Sequence, residues 1–412
     1  MYGKLKGMLE TEIAGMKENG TYKTERVLEG PQGREITVAG NPSTDSTGSP
    51  QAGSGQGKYL NFCANNYLGL AGTKELQEAS ERAVKEWGFG LASVRFICGT
   101  QTIHKELERA IADYVGQEDA VLYSSCFMAN VGLFQTFFTD EDAIITDELN
   151  HASIIDAIRL TKSERLIFKH MDMADLEEKL KAATGKRLRV IATDGVFSMD
   201  GDIAPLKEIC DLADKYDALV FVDDAHATGV MGAKGGGTPQ ECGVEDRVDF
   251  LTGTFGKALG GAGGAFTATR KEAADYLRNR SRTYLFSNAL DTAVTGASLY
   301  VLREHLPAHP ELRERLWSNT RFFRGAMRKA GFAVTDAPHP ITPIMLGDEK
   351  KAVEMAAELF KEGIYVIGFA FPVVPKGKAR IRVQVSAAHT QEDLQLAVEK
   401  FTAVGKKFGV IE

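Results

Sequence analysis

The chain contains 412 residues, of which 43% are hydrophobic and 25% are charged, and its formal net charge is −7. This composition is typical of a folded globular protein and excludes an intrinsically disordered or collagen-like chain. The negative charge argues against binding nucleic acid through a basic surface, and no apolar run approaches the roughly 20 residues that a membrane helix needs. We therefore expect a cytoplasmic protein with a large domain and a smaller lobe.

Residues 1–58 are predicted to form an N-terminal arm. Its start carries an acidic and basic amphipathic helix pattern, without the uninterrupted apolar core of a secretory signal. Residues 40–57 are almost all Gly, Ser, Thr, Pro, Asn, Asp and Gln. Such a segment cannot bury enough apolar area to order itself, so we predict a flexible surface loop that is a plain linker or a lid.

Short apolar runs alternate with helical patterns from residue 60 onward, and residues 205–216 place an apolar stripe along one helix face. Continuous apolar strands that alternate with helices predict an α/β fold with a mostly parallel sheet covered on both faces. This large domain is predicted over residues 59–300. The apolar runs are residues 120–124, 143–146, 189–193, 218–222 and 248–253.

A smaller α+β lobe is predicted over residues 301–412. Residues 379–386 alternate strictly between apolar and polar side chains, which predicts a strand. Thr390 and Asp393 resemble a capping box at the start of a helix, and residues 351–361 predict another amphipathic helix.

Polar side chains follow the buried runs of the large domain where each run ends. They include Asp223, His226, Ser198, Thr254 and Lys257. The carboxyl ends of parallel strands open on one crevice, so we expect these residues to converge there. Lys257, among small residues, could reach a ligand and form a Schiff base. Asp223 would be a poorly solvated carboxylate that needs a cation, and the protonated ring nitrogen of pyridoxal phosphate (PLP) is one.

Each residue also has an ordinary structural interpretation. A lysine among glycines is often a loop residue, a strand-end aspartate often caps a turn, and the arginines of residues 379–386 could face water. The placement of all these residues at the ends of predicted strands is what favours a ligand-binding site over these ordinary interpretations.

Other motifs fail when tested. Ala258 follows Lys257 where a Walker A loop needs Ser or Thr, and no G-x-G-x-x-G follows a strand. These failures disfavour a nucleotide-binding dehydrogenase, the alternative from another class. The five cysteines contain no C-x-x-C pair, so no metal site is expected.

The sequence resembles the α-oxoamine synthases, PLP-dependent enzymes of fold-type I (aspartate aminotransferase-like) that join an amino acid to an acyl-CoA. The resemblance covers the chain from Tyr59 to its end. Its motifs are TGTFGKALGG (252–261), VDDAH (222–226), NFCANNYLGLA (61–71), GFGLASVRFICGTQ (88–101), LYSSCFMAN (122–130), LNHASIIDAIRL (149–160), ATDGVFSMDGDIAPL (192–206), YLFSNAL (284–290) and FPVVPKGKARIRVQVSAAHT (371–390).

The resemblance implies a role for each residue around the cofactor ring. Lys257 is expected to form the Schiff base with PLP and later to act as acid and base. Asp223 is expected to pair with the pyridine nitrogen, and His151 to stack over the ring. His226 and Ser198 are expected to contact the ring hydroxyl.

The resemblance also implies how the phosphate is held. The amides of Cys126 and Phe127, with Thr254, are expected to bind it at a helix N-terminus. Phe286 and Ser287 are expected to reach the phosphate of a neighbouring subunit, which implies a homodimer with a shared active site.

The substrates follow from the same resemblance. Arg382, helped by Asn65, is expected to bind the amino-acid carboxylate. Residues 371–375 favour the branch that condenses glycine with acetyl-CoA to 2-amino-3-oxobutyrate, in glycine metabolism and threonine degradation. Coupling to a threonine dehydrogenase is an expectation of that branch. The alternative is a branch that joins alanine to a longer acyl-CoA and makes 8-amino-7-oxononanoate.

Overall fold

The computed structural model describes residues 2–18, 22–39, 43–44, 50–51, 57–371 and 373–412. Two dipeptide strands of the predicted loop at 40–57 pair antiparallel. The rest of that loop up to residue 56 lies outside the described residues, as does Pro372 in the motif at 371–375, so the loop's flexibility stays a prediction. None of the helices in these ranges is long and apolar enough to cross a membrane.

Helices and strands alternate along most of the chain, as the apolar pattern predicts. The described α-helices are α1 (Tyr2–Glu18), α2 (Lys74–Trp87), α3 (Thr102–Val115), α4 (Cys126–Phe137), α5 (Ala152–Arg159), α6 (Met173–Ala182), α7 (Leu206–Tyr216), α8 (Thr238–Cys242), α9 (Lys271–Arg280), α10 (Arg282–Leu285), α11 (Thr292–Tyr300), α12 (Leu306–Ala308), α13 (Glu311–Lys329), α14 (Glu349–Lys361) and α15 (Gln391–Lys407). The described strands are β1 (Glu35–Val38), β2 (Ser43–Thr44), β3 (Pro50–Gln51), β4 (Gly57–Asn61), β5 (Asp119–Tyr123), β6 (Ala143–Asp147), β7 (Glu164–Phe168), β8 (Arg189–Asp194), β9 (Leu219–Asp223), β10 (Phe250–Thr254), β11 (Ala265–Thr269), β12 (Ile341–Gly347), β13 (Ile364–Tyr365), β14 (Ile367–Phe369) and β15 (Ala379–Gln384).

The chain divides into two units, residues 1–31 with 35–59 and residues 32–34 with 60–412. In the first unit, α1 forms where the N-terminal helix is predicted, and none of its residues is buried. The second unit holds the central sheet and every element from α2 to α15. The predicted domain boundary at residue 300 stays a prediction.

The central sheet has the strand order β5–β11–β10–β9–β8–β6–β7. Six of its strands run in one direction, and β11 runs against both of its neighbours. The prediction of a mostly parallel sheet is therefore confirmed. The apolar pattern does not predict β7, which is partly exposed, or β11, which begins at the end of a glycine-rich run.

Both faces of the sheet are buried, and β9 shows why its sequence is continuously apolar. Val220 and Val222 pack into a hydrophobic cluster with residues of α3 and α7. Phe221, which points to the other face, packs into a second cluster with residues of α4 and α5. Alternate side chains of one strand thus enter two cores, and a polar residue fits only where the strand ends.

The C-terminal elements form a separate antiparallel sheet with the order β12–β15–β14. Ile381 on its middle strand packs into a cluster with residues of α13 to α15. The interpretation that the arginines of this strand face water is wrong, because Arg380 is 2% exposed and pairs with Asp200. The capping box of Thr390 and Asp393 is confirmed at the start of α15.

Candidate active site

Three strand ends of the central sheet carry polar side chains to one place. Asp194 ends β8 and Asp223 ends β9, and the two residues are register partners in the parallel ladder. Thr254 ends β10, which lies beside β9. The carboxyl ends of these parallel strands open on one side of the sheet, where ligands bind in open α/β sheets.

Lys257 lies on the connection between β10 and β11. Two main-chain hydrogen bonds close this connection, from Phe255 N to Gly264 O (3.0 Å) and from Gly261 N to Phe255 O (2.9 Å). Gly261 has φ +79°, and a β-carbon there would lie 2.7 Å from Ala71 Cβ. The tight connection that presents Lys257 therefore requires glycine at this position.

The Lys257 amine has the properties of a nucleophile. Burial lowers its pKa, and the acidic groups of Asp223, Cys126 and Asp194 offset this effect only in part. A lowered pKa leaves more of the amine unprotonated at neutral pH, which is the form that attacks a carbonyl group. The environment of Lys257 therefore fits the predicted Schiff base.

Asp223 is 3% exposed, and its hydrogen-bond partners are neutral groups. Asn130 Nδ2 donates to Oδ2 at 2.7 Å, and Ala225 N donates to Oδ1 at 3.1 Å. Cys126 Sγ lies 3.6 Å from Oδ2. A buried carboxylate needs a cation to offset its lost hydration, so this donor set fits a ligand with a protonated ring nitrogen.

His151 is the N-cap of α5, and its backbone is fixed by the neighbouring strand end. Its main-chain N–H donates to Asp194 Oδ2 at 2.6 Å. Partial burial of the ring lowers the pKa of His151, while the charge of Asp223 raises it less and that of Lys257 adds to the lowering. The structure therefore brings His151 to the same side of the sheet as Asp223 and Lys257.

His226 is buried three residues after Asp223, and the Tyr67 hydroxyl lies 2.8 Å from its Nδ1. Burial, followed by the charge of Lys257, holds the pKa of His226 well below its ordinary value. The ring is therefore neutral at physiological pH, and it can exchange hydrogen bonds without carrying a charge.

Arg382 carries an unused donor in the buried interior. Its Nη1 donates to Ser198 O at 2.9 Å, and its guanidinium carbon lies 4.8 Å from the centre of the Phe369 ring. Its Nε is buried without a hydrogen-bond partner in the structure. On the same strand, Gln384 Nε2 donates to Asn65 Oδ1 at 2.9 Å. The guanidinium thus lies beside the predicted site residue Ser198 with a donor free for a carboxylate, and Gln384, two residues along the strand, holds Asn65.

The predicted phosphate residues occupy two neighbouring positions. Cys126 and Phe127 form the start of α4, where the Ser125 hydroxyl accepts the Met128 N–H at 3.3 Å. The Thr254 hydroxyl donates to Gly264 O at 2.9 Å, so it must rotate to donate to a phosphate. The first turn of α4 supplies the helix N-terminus that such a group prefers.

Phe286 and Ser287 follow α10, and Ser287 lies beside the first turn of α4. Phe286 is 68% exposed, with the Arg282 guanidinium carbon 5.2 Å from the centre of its ring. Ser287 Oγ lies 3.8 Å from Met128 Sδ.

Three residues of the site have no role in the prediction from sequence. Asn130 and Tyr67 lie inside quoted motifs but far along the chain from their partners, so no local pattern reveals them. Asp194 follows an apolar run as Asp223 does, and that position marks it in the sequence as a strand-end polar residue, although it carries no predicted role.

Known proteins resemble this chain over most of its length. A model of the aminotransferase class I and II family matches residues 57–401. The chain is 54% identical to a 2-amino-3-ketobutyrate coenzyme A ligase of Escherichia coli K12, over 100% of both chains. It is 46% identical to an 8-amino-7-oxononanoate synthase of Thermosipho melanesiensis, over 97% of this chain and 98% of that one.

A solved structure resembles the whole fold. It is a serine palmitoyltransferase of S. paucimobilis with a bound PLP–myriocin aldimine, at a TM-score of 0.88 and 30% identity over 100% of both chains. These matches confirm the predicted resemblance and the α/β fold of the aspartate aminotransferase type.

Proposed function

The chain belongs to the aminotransferase class I and II family, and from this premise we propose that it is a PLP-dependent glycine C-acetyltransferase. It condenses glycine with acetyl-CoA to 2-amino-3-oxobutyrate and CoA, in a reversible step of glycine metabolism and threonine degradation. The proposal rests on the 54% identity, over the full length of both chains, to a protein named 2-amino-3-ketobutyrate coenzyme A ligase. A relative named for 8-amino-7-oxononanoate synthesis is less similar.

The residues of the site fit PLP by their chemistry. Lys257 would hold the cofactor aldehyde through an amine that burial keeps partly unprotonated. Asp223, buried among neutral partners, would pair with the ring nitrogen. When bound, PLP supplies a sink for the negative charge that remains after a proton leaves the α-carbon of an amino acid.

Further contacts to the cofactor would come from other residues of the site. His226 and Ser198 would contact the ring hydroxyl, and His151 would cover the ring face. Cys126 and Phe127 at the start of α4, with Thr254, would bind the phosphate.

The substrate is oriented by Arg382. Its guanidinium would bind the glycine carboxylate through the unpartnered Nε, helped by Asn65, which Gln384 holds from the same strand. The Lys257 amine would also move the proton at the glycine α-carbon, since an unprotonated amine is an available base. A proton transfer from a positioned base contributes a rate factor of about 10²–10⁴.

We propose a homodimer with a shared site. Phe96 and Ile97 are 60% and 69% exposed, and their segment bridges to that of Phe286 through the pairing of Val94 with Asn288. A second copy would cover this apolar surface, and Phe286 and Ser287 would then reach its phosphate site.

We also propose a cytoplasmic location, and a threonine dehydrogenase as the source of the ketoacid in the degradative direction.

The proposal is tested by CoA thiol release from the PLP-loaded protein. Glycine, alanine and serine are each compared with acetyl-CoA and with a long-chain acyl-CoA. Fast release with glycine and acetyl-CoA alone is expected. Faster release with alanine and the long chain would favour the synthase of 8-amino-7-oxononanoate instead.

A further inference from the structure

Asn130 connects two groups of the site from a fully buried position on α4. Its Nδ2 donates to Asp223 Oδ2 at 2.7 Å and to Ser153 Oγ at 2.9 Å. Its Oδ1 accepts from Thr252 Oγ1 at 2.9 Å. Since a carboxylate only accepts, the amide nitrogen must face Asp223, and both of its hydrogens are used.

Ser153 transmits this orientation to His151. Its hydroxyl oxygen accepts from Asn130, which leaves the hydroxyl hydrogen to donate to His151 Nδ1, 2.7 Å away. The Ser153 main-chain N–H donates to the same Nδ1 at 3.2 Å. A main-chain N–H can only donate, so Nδ1 is the acceptor and the ring proton resides on Nε2.

The charge state of the ring agrees with this arrangement. Partial burial and the charge of Lys257 lower the pKa of His151, in spite of the nearby Asp223. The imidazole is therefore neutral at physiological pH, with one nitrogen protonated.

We propose that Asn130 and Ser153 are positioning residues, in which one amide fixes the Asp223 carboxylate and, through the Ser153 hydroxyl, holds His151 as the Nε2–H tautomer. One buried side chain then aligns the group expected at the cofactor nitrogen and the group expected over its ring. That consequence rests on the proposed function, whereas the hydrogen-bond relay and the tautomer belong to the chain itself.

The first test is the ¹⁵N spectrum of the PLP-loaded protein with labelled histidine side chains. The His151 signals are assigned by their loss in His151→Gln. The parent is expected to show an unprotonated Nδ1 and a protonated Nε2. Ser153→Ala should shift the Nδ1 signal toward that of a less strongly hydrogen-bonded nitrogen, because only the main-chain N–H of residue 153 then donates to it, and Ser153→Thr, which keeps the hydroxyl, should restore the parent pattern. An unchanged His151 pattern in Ser153→Ala would overturn the relay.

The second test separates the two connections of Asn130. Asn130→Ala should shift the His151 Nδ1 signal, because the Ser153 hydroxyl loses the donor that orients it. It should also raise the PLP dissociation constant about tenfold to a hundredfold, the effect of losing a hydrogen bond to a charged group. Ser153→Ala should change that constant by less than about threefold, because Asn130 still holds Asp223. A constant for folded Asn130→Ala within about twofold of the parent would overturn the connection to Asp223.

A second variant at Asn130 keeps the test valid if Asn130→Ala does not fold. Asn130→Asp keeps the shape but replaces both donors with acceptors, and it should weaken PLP binding at least as much as Asn130→Ala. Neither readout depends on CoA release. A protein that used other substrates would still give these spectra and binding constants, so failure of the relay and failure of the proposed function are seen separately.

Discussion

The carboxylates of Asp194 and Asp223 end adjacent parallel strands in register, which places two buried acids side by side. Burial, with the charge of Asp223 added, raises the pKa of Asp194 well above its ordinary value. Asp194 therefore keeps its proton at a pH where a free carboxyl group has lost it. Its hydrogen bond from His151 N uses the carbonyl character that a protonated acid retains.

Asp194→Asn should consequently be tolerated. The amide oxygen can still accept the His151 N–H, and the amide is neutral beside Asp223, as the protonated acid is. We expect CoA release within about threefold of the parent, since no hydrogen bond to the charged group is lost. The variant should also gain free energy of unfolding relative to the parent as pH rises above about 4, because the parent's unfolded state then loses the Asp194 proton that the folded state retains. Asp194→Ala, which removes the acceptor, serves as the comparison and should lose activity.

Lys257→Ala should abolish turnover, because it removes both the amine that holds the cofactor and the base at the α-carbon. The visible absorbance of lysine-bound PLP should disappear with it. Absorbance spectra and CoA release check the two effects. Turnover close to that of the parent would refute the assignment of Lys257.

Asp223→Asn should retain PLP but lose CoA release by at least about a hundredfold, since an amide cannot keep the ring nitrogen protonated. Its shape matches the parent, so Asn130 loses little packing. Cofactor content and rate are measured on the same sample. A variant with normal content and a normal rate would show that the carboxylate charge is not used.

Arg382→Lys should raise the KM for glycine about tenfold to a hundredfold, because an ammonium group cannot reproduce the bidentate contact of a guanidinium. The KM for acetyl-CoA should change little. Steady-state kinetics with each substrate varied in turn separates the two. Arg380→Lys on the same strand is the matched control, and an equal effect there would indicate a general disturbance of β15.

His170 predicts a pH dependence of stability away from the site. Burial lowers its pKa, but the hydrogen bond to Asp147 and the nearby Asp202 carboxylate outweigh this effect and raise the pKa to about 9. A raised pKa means that the stabilisation is complete below the ordinary value of about 6.5 and is lost as pH rises through about 9. After allowance for solvent screening, it contributes about 1–2 kcal/mol. Urea unfolding at pH 6 and pH 10 checks this, and His170→Gln should lose most of the difference.

The sequence predicts those parts of the fold that are buried on both faces. The apolar runs at 143–146 and 189–193 became β6 and β8 because strands between two cores cannot alternate. The pattern fails for β11, whose alanines and threonines carry little apolar signal although every residue is buried. It also fails for Arg380, because an alternating strand does not reveal that its polar side faces Asp200 rather than water.

The residues of the candidate site also differ in how far the sequence predicts them. Asp223 and Lys257 are recognisable because each follows a strand in the sequence. Asn130 is not, because its contact with Asp223 joins positions 93 residues apart and exists only after α4 has packed on the sheet.

The connection that carries Lys257 has a consequence for the reaction cycle. Both of its ends are interior strands of the central sheet, since β10 is flanked by β9 and β11 by β5. A segment anchored in this way cannot swing open as a hinged flap does. We therefore expect the Lys257 amine to move by rotation about its own side-chain bonds rather than by a hinge motion of the main chain.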